Sequence, residues 1–240
     1  MKRKLMLLTL ILSVITVAAS AQTTEWHVPK MRIAASGGLG YLTASGQTDI
    51  RMIVNQRDID KANNELRLAK QFHGDVQYLF DSGWGIGVKY LFQKTSTELN
   101  NVIVDIFDGY HYLVTDLWEK DYINFVGPSL YGQLPLGVDD KFRLTSLVSV
   151  GYAWWRGESF LLQNTLIKSG NVGANAEIGM DYLFHPNFGI GVNLGCLLSY
   201  FDKISISNGL NSQSTTLDKD SRFNASNIYL SAGIRYYINK

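Results

Sequence analysis

Seven ionisable residues fall on the small or polar face of segments that otherwise alternate with apolar residues. They are Arg32, Asp75, Lys89, Arg143, Glu177, Asp181 and Arg235. Charged groups of both signs on an inward face must pair, because an isolated buried charge costs much free energy. The chemistry predicted is ion pairing inside the protein. It serves either as a salt-bridged plug that keeps the molecule rigid or as a gate whose ion pairs exchange.

The spacing of these residues suggests which of them are neighbours. If Phe80 faces Trp84 across a tight turn, Asp75 directly opposes Lys89 on the same face of a hairpin. Arg143 and Asp181 are expected at similar depth on two other neighbouring strands.

Metal and cofactor chemistry is not expected. The four histidines are scattered, the acidic residues lack ligand spacing, and Cys196 is the only cysteine. The glycine-rich segment 37–40 is not followed by a helix, so it does not predict a phosphate-binding loop.

An internal repeat indicates which elements position these residues. Residues 78–88 (YLFDSGWGIGV) recur as 182–192 (YLFHPNFGIGV). In each copy a strand end meets three turn-forming residues, and an aromatic then begins Gly-Ile-Gly-Val. The two turns are Asp81, Ser82 and Gly83 in the first copy, and His185, Pro186 and Asn187 in the second. This pattern predicts a tight β-hairpin at each site.

A third turn cluster at residues 137–140 divides the chain into four segments of similar length. Each segment is interpreted as strand, long polar loop, strand, with loops near 44–67, 97–120, 156–170 and 202–225. The prediction is all-β: an eight-stranded antiparallel up-and-down transmembrane β-barrel with short periplasmic turns and long extracellular loops.

The strands alternate with period two, as residues 172–184, 188–200 and 228–238 show. Their length of about 12 residues suits tilted strands that cross a bilayer. A soluble lipocalin-like barrel also alternates. It is disfavoured because long and short connections alternate strictly and because aromatics gather at strand ends, with Trp84, Phe188 and Tyr236 low and Trp154 and Tyr200 high.

The N-terminus predicts an export signal over residues 1–21. Lys2-Arg3-Lys4 precedes an apolar run from Leu5 to Ala19, and small residues allow cleavage between Ala21 and Gln22. A short periplasmic segment, 22–29, and a barrel domain, 30–240, then follow. Cleavage changes the formal charge from +1 to −2, since 22 − 3 = 19 basic residues face 21 acidic ones. A nearly neutral protein gives no electrostatic reason to expect nucleic acid as a partner.

Two segments depart from the regular pattern. Pro128 interrupts the fourth strand and indicates a bulge, because proline cannot donate to a strand ladder. Residues 101–117 contain apolar runs on both sides of Asp108-Gly109, a strong hairpin signal. They are interpreted either as a rigid ribbon beyond the membrane or as a cover over the barrel mouth.

The chain after the signal resembles the small eight-stranded outer-membrane β-barrel proteins, of the OmpA-, OmpX- and OmpW-like kind. Residues 231–238 (SAGIRYYI) are similar to the C-terminal signal that the barrel-assembly machinery binds, although the chain ends Ile-Asn-Lys rather than on an aromatic. The Ala-Ser-Ala-Gln junction at 19–22 is similar to export signals of Bacteroidetes.

The resemblance implies a location in the cell outer membrane, with outer-membrane lipid and lipopolysaccharide as surroundings. It favours a structural or interaction role with a side-chain-filled lumen, in which the loop 97–120 contacts an extracellular partner. The alternative is a passive conduit for small, hydrophobic molecules. A lipid A-modifying enzyme is disfavoured, because none of His27, His73, His111 and His185 has a Ser two residues later. His73 with Asp75 is the single conceivable catalytic pair.

Overall fold

The computed structural model describes residues 28–43, 52–53, 56–105, 112–136, 140–209, 211–218 and 222–239. Strands dominate these residues, and one helix lies between the second and third strands. The elements are β1 (Met31–Leu42), β2 (Met52–Ile53), α1 (Gln56–Arg67), β3 (Leu68–Leu79), β4 (Trp84–Asp105), β5 (Tyr112–Leu136), β6 (Phe142–Phe160), β7 (Asn164–His185), β8 (Phe188–Phe201), β9 (Lys203–Ser207), β10 (Ser212–Thr216), β11 (Phe223–Asn224) and β12 (Asn227–Ile238).

Eight of these strands form a closed antiparallel ring in the order β1, β3, β4, β5, β6, β7, β8 and β12. The ring closes where β12 pairs with β1, from Met31 opposite Ile238 to Leu42 opposite Asn227. Closure leaves no unpaired strand edge in the ring. Unpaired N–H and C=O groups at such an edge would find no hydrogen-bond partner in the membrane. The predicted eight-stranded barrel is confirmed.

Period-two alternation decides which side chains face outward. On β8, Ile190, Val192 and Leu194 are each more than half exposed, whereas Asn193 between them is 4% exposed. The outward apolar residues form the band that contacts lipid. Aromatic pairs flank its periplasmic edge, as Phe188 and Tyr236 do with ring centroids 4.8 Å apart.

The first periplasmic turn is tight, as the repeat predicts. The amide of Phe80 donates to the carbonyl of Trp84, and the amide of Gly83 donates to the carbonyl of Phe80. Gly83 has φ 81°, a left-handed conformation that favours glycine. In the second turn the amide of Asn187 donates to Nδ1 of His185. Residues 137–139 of the third turn lie outside the described residues.

Two predicted loops are wrong, because strands continue through most of them. β4 and β5 remain paired to Asp105 and Tyr112, and β6 and β7 pair as far as Phe160 and Asn164. Outside the bilayer an outward-facing residue contacts water, so a strand there carries polar residues on that face. The polarity of 97–120 and 156–170 therefore marks the end of the membrane and not the end of the strands.

The predicted bulge at Pro128 is also wrong. The pairing of β5 with β6 keeps one register from Val126 opposite Tyr152 to Ser129 opposite Ser149. Pro128 lacks an N–H, which removes one hydrogen bond between the strands but does not require the extra residue of a bulge. The Pro128 carbonyl still accepts a hydrogen bond from the Ser149 hydroxyl at 2.7 Å. Register shifts lie instead between Leu99 and Val102 of β4 and between Leu183 and His185 of β7.

Above the membrane the sheet opens into a curved extension, here named the extracellular wall. It comprises β2, residues 99–105 of β4, 112–120 of β5, 156–160 of β6, 164–169 of β7, β9 and β10. The predicted loop 202–225 thus contains the β9–β10 hairpin, and the predicted loop 44–67 ends in α1. In the wall β9 takes the place of β8 beside β7.

The described residues of 101–117 form the paired ribbon of the first interpretation, and the inward apolar side chains of this ribbon pack on α1. Val102, Val104 and Leu117 are buried and cluster with Ala62 of α1. The hydroxyl of Thr97 donates to the carboxylate of Glu65 at 2.7 Å. Asp108 and Gly109 lie outside the described residues.

Residues 1–27 lie outside the described residues, and with them the predicted signal, its cleavage junction at Ala21 and Gln22, and most of the segment 22–29. Among the described residues, no helix combines the length and apolar character needed to cross a membrane.

Candidate functional site

All seven ionisable residues predicted for the interior are buried inside the barrel. Each is less than 9% exposed: Arg32, Asp75, Lys89, Arg143, Glu177, Asp181 and Arg235. The structure divides them into two adjoining groups, one centred on Asp181 and one on Glu177.

Asp181 is the centre of the group near the periplasmic end. Its side chain is 0% exposed, and its two oxygens accept bonds from two guanidinium groups. Nε of Arg235 lies 3.0 Å from Oδ1, and Nη2 of Arg32 lies 3.3 Å from Oδ2. The hydroxyl of Tyr237 donates to Oδ2 at 2.7 Å. Arg32 also bonds Asp75 at 2.6 Å, so a chain of alternating charges crosses the lumen.

Glu177 is the centre of the second group. Nζ of Lys89 lies 2.5 Å from its Oε1, and the hydroxyl of Tyr229 donates to the same oxygen. The amide of Asn175 in turn donates to the hydroxyl of Tyr229 at 2.6 Å. Lys89 also contacts Nδ1 of His73, so its ammonium is held from two sides.

The predicted neighbours are confirmed in register, but the ion pairs connect other partners. Asp75 stands directly opposite Lys89, as expected, yet Asp75 bonds Arg32 and Lys89 bonds Glu177. The side chains of a small barrel meet across its lumen, so ion pairs need not join adjacent strands.

The second expected pair, Arg143 and Asp181, also stands opposite in register. The guanidinium of Arg143 lies over the ring of Tyr237, 4.5 Å from its centroid, while Asp181 bonds Arg32 and Arg235. Sequence reasoning missed Tyr229 and Tyr237 as partners. Their position on the inward face of the last strand was the available signal.

A mostly apolar layer lies in the lumen above the charged groups, beside the buried and hydrogen-bonded Gln71, Gln93 and Asn227. Its buried members are Leu42, Ala69, Leu91, Ile123, Phe125, Ala153, Trp155, Leu197, Phe201 and Ala225. Trp155 stacks on Phe223 with ring centroids 4.1 Å apart. Trp155 also stacks on Phe201, with ring centroids 6.2 Å apart. A charged level and a mostly apolar level thus follow one another along the barrel axis, and α1 packs against the inward residues of β4 and β5 beyond them.

Two carboxyl groups face inward above the apolar layer, outside the membrane-spanning segments. Burial, together with the nearby charge of Asp121, raises the pKa of Glu119 to about 7. Burial also raises the pKa of Asp121 to about 6, opposed by a hydrogen bond from the Trp155 indole at 2.7 Å. Part of the Glu119 population is therefore protonated at neutral pH.

The arrangement around His73 differs from the conceivable catalytic pair with Asp75. Nε2 of His73 lies 2.8 Å from Oγ of Ser231, and Nδ1 lies 3.6 Å from Glu177. The order hydroxyl, imidazole, carboxylate is that of a nucleophilic site. However, Ser231 and His73 are 3% and 1% exposed, and Lys89 occupies the Nδ1 side of the ring. The geometry therefore fits a structural network within the filled lumen.

Among the described residues, no group of three or more His, Cys, Asp or Glu side chains is placed to hold a metal ion.

Similar solved structures include outer-membrane proteins of low sequence identity. OprG from Pseudomonas aeruginosa is 15% identical over 89% of this chain and 98% of its own, with a TM-score of 0.51. The outer membrane protease OmpT from Escherichia coli is 10% identical over 90% and 100%, with a TM-score of 0.48. Ail, the attachment invasion locus protein of Yersinia pestis, is 14% identical over 86% and 96%, with a TM-score of 0.41. Comparison with curated protein sequences gives no match.

A family model described as the outer membrane protein beta-barrel domain matches residues 7–235. This match spans the closed ring, the filled lumen and the apolar outer band, and it places the protein in the cell outer membrane. The signal peptide and the bacterial group of origin stay predictions. The chain is a member of the outer membrane protein β-barrel domain family.

Proposed function

We propose that this protein is a sealed outer-membrane barrel of structural or interaction type, and not an enzyme, that presents the extracellular wall to partners outside the cell. The observation that carries the proposal is the filling of the lumen at two levels. A conduit for polar solutes would have to open the Asp181 and Glu177 groups and also displace the apolar layer around Phe125 and Trp155.

The extracellular wall supplies the contact surface in this proposal. From Lys94 to Asp105, β4 continues for about 35 Å along the strand at the usual rise per residue. Tyr112, Leu113 and Val114 stand near its tip and are 52%, 43% and 60% exposed. Adjacent exposed apolar residues on an aqueous surface favour a protein partner.

Conductance in planar bilayers tests the sealed lumen. We expect the purified wild-type barrel to show no conductance steps above the empty bilayer, because side chains occupy the lumen at both levels. Opening both levels with Phe125→Ala and Trp155→Ala in the apolar layer, and Lys89→Ala and Arg235→Ala in the two charged groups, should produce steps. A matched variant on the lipid face, Ile190→Ala with Leu194→Ala, should not.

Steps in the wild type would contradict the sealed lumen and support the passive conduit. In that case Lys89→Ala and Arg235→Ala should change the flux, since both side chains lie in the lumen. Gel mobility before and after boiling verifies that each variant is folded.

Site-specific photo-crosslinking on living cells tests the contact surface. A photoreactive residue in place of Val114 is expected to form adducts with an extracellular component, because this position is exposed and apolar. The same residue in place of Glu98, which is exposed on β4 between the exposed residues Ser96 and Asn100, is the control. Equal adducts at the two positions, or none at 114, would refute the wall as a contact surface.

A further inference from the structure

A groove with an uncharged polar lining lies on the extracellular wall, where β7, β9 and β10 stand side by side. Its volume is about 340 Å³. One apolar residue, Ile206, lines it together with four amide and two hydroxyl side chains, which are those of Gln163, Thr165, Asn208, Asn211, Gln213 and Thr215. We name this cavity the polar groove. None of its seven lining residues carries a charge.

The strand pairing shows on which face of the wall the polar groove lies. Ile167 of β7 and Ile204 of β9 pack against the apolar layer inside the barrel. Ile206 stands directly opposite Ile167, and Gln213 of β10 stands directly opposite Ile206. Residues that stand opposite one another share a face of the sheet. The polar groove therefore continues the inner face of the barrel, beyond the apolar layer.

The charged side chains in this part of the wall lie on the other face. Lys168 stands opposite Ser205, and Lys203 stands opposite Thr216. All four alternate along their strands with residues of the inner face, so they point outward. β10 contains no charged residue. An ionic ligand would therefore lose hydration in the polar groove without gaining an opposite charge from these three strands.

Much of the hydrogen-bonding capacity of the polar groove is not used by the protein itself. The amides of Gln163 and Gln213 and the hydroxyls of Thr165 and Thr215 form no hydrogen bond with another described residue. An amide offers donors and an acceptor side by side, and a hydroxyl offers both on one atom. The polar groove therefore presents several neutral donors and acceptors to a ligand.

The turn between β9 and β10 fixes one end of the polar groove. The backbone amide of Asn211 donates to Oδ1 of Asn208 at 2.8 Å, and the backbone amide of Asn208 donates to the carbonyl of Asn211 at 3.2 Å. Gly209 between them has φ 87°, a conformation that glycine adopts readily. A site that is formed before binding loses less conformational entropy when the ligand arrives.

We propose that the polar groove binds an uncharged saccharide outside the cell. Neighbouring sugar hydroxyls each donate and accept, and they match the adjacent donor and acceptor of the glutamine and asparagine amides. Ile206 supplies an apolar contact for the C–H groups of a sugar ring. The volume lies at the small end of the range for ligand pockets, about 300–1,000 Å³, so the ligand is a short segment of saccharide.

A peptide fits the polar groove less well than a saccharide does. Peptide recognition depends on pockets for apolar side chains or on pairing with a strand edge, whereas this groove lies on a sheet face and Ile206 is its single apolar lining residue. The site depends neither on the proposed sealed lumen nor on the proposed contact at Val114, so its test is separate from theirs.

Saturation-transfer NMR on the full barrel in phosphatidylcholine nanodiscs tests the proposal. Maltotriose, mannotriose and galactotriose are the uncharged probes, and we expect at least one of them to bind. Gln163→Leu with Gln213→Leu removes two unused amides at similar volume, so it should lower the affinity on the order of tenfold. The matched control is Asn164→Leu with Ser214→Leu, which changes the next residues of the chain on the outer face. This control should bind as the wild type does.

Further ligands identify the chemistry that is recognised. Trigalacturonate, an anionic trisaccharide, should bind more weakly than the best uncharged probe. Absence of binding by all three uncharged probes, stronger binding of trigalacturonate, or equal losses in the two double variants would overturn the proposal. So would a peptide of Ser, Thr and Asn that binds where the trisaccharides do not. Competition by neutral polysaccharide released from the producing cells would assign the saccharide to the same cell, and lack of competition would assign it to the surroundings.

Discussion

Replacing Asp181 by asparagine is expected to lower the free energy of unfolding by about 3–5 kcal/mol, the usual cost of removing one partner from a buried ion pair. The side chain is 0% exposed and bonds Arg32, Arg235 and Tyr237. Asparagine has almost the same volume, so the loss reflects charge rather than a cavity. Arg32 keeps Asp75, but the ion pair of Arg235 with position 181 is removed.

Urea unfolding in lipid vesicles measures this loss, provided that refolding returns the same signal. Asp218→Asn is the matched control, because Asp218 is exposed beyond the membrane and should change stability by less than about 0.5 kcal/mol. Equal stability of the Asp181 and Asp218 variants would show that the charged group near the periplasmic end does not hold the barrel together.

The pair of Lys89 and Glu177 is expected to behave as a coupled unit. Lys89→Met leaves the Glu177 carboxylate without its ammonium partner in the lumen, and Glu177→Gln leaves Lys89 without its carboxylate. Each change should destabilise the barrel by about 3–5 kcal/mol. The double variant has neither unpaired charge, so its loss should fall short of the sum by about 1–3 kcal/mol.

The same unfolding measurement completes the double-mutant cycle. Lys203→Met, at an exposed position of β9, is the control for replacing a lysine by methionine. Losses that add within about 0.5 kcal/mol would mean that the two side chains act independently, contrary to their 2.5 Å contact. Lys89 also contacts His73. The loss of stability that remains in the double variant therefore includes the loss of the contact with this imidazole.

Much of the architecture is predictable because a membrane barrel repeats one local rule. Alternation along 188–200 assigns Ile190, Val192 and Leu194 to lipid and Asn193 to the lumen, and the structure agrees. The tight turn at Gly83 follows from residue types that tolerate its backbone. The same alternation placed all seven ionisable residues in the interior.

Other features depend on the environment of a segment in the folded protein, which a local sequence pattern does not show. The polar outward face of 97–105 looks like a loop in sequence, yet it is strand, because water replaces lipid outside the bilayer. Helix α1 lies in a segment interpreted as loop, and it is held by contacts of Ala62 with β4 and β5. The register shift of β4 lies beside Asn101 and does not coincide with Pro128. Asn101 has a φ of 60°, a conformation that asparagine tolerates.

The sequence by itself determined the fold class, the strand faces and the cross-strand neighbours such as Asp75 and Lys89, because side-chain direction in a strand has a strict period of two. Only the tertiary structure decided that Asp181 bonds Arg32 and Arg235, and that Glu177 bonds Lys89 and Tyr229. Those contacts cross the lumen, and the stagger of the closed ring sets which depths meet there.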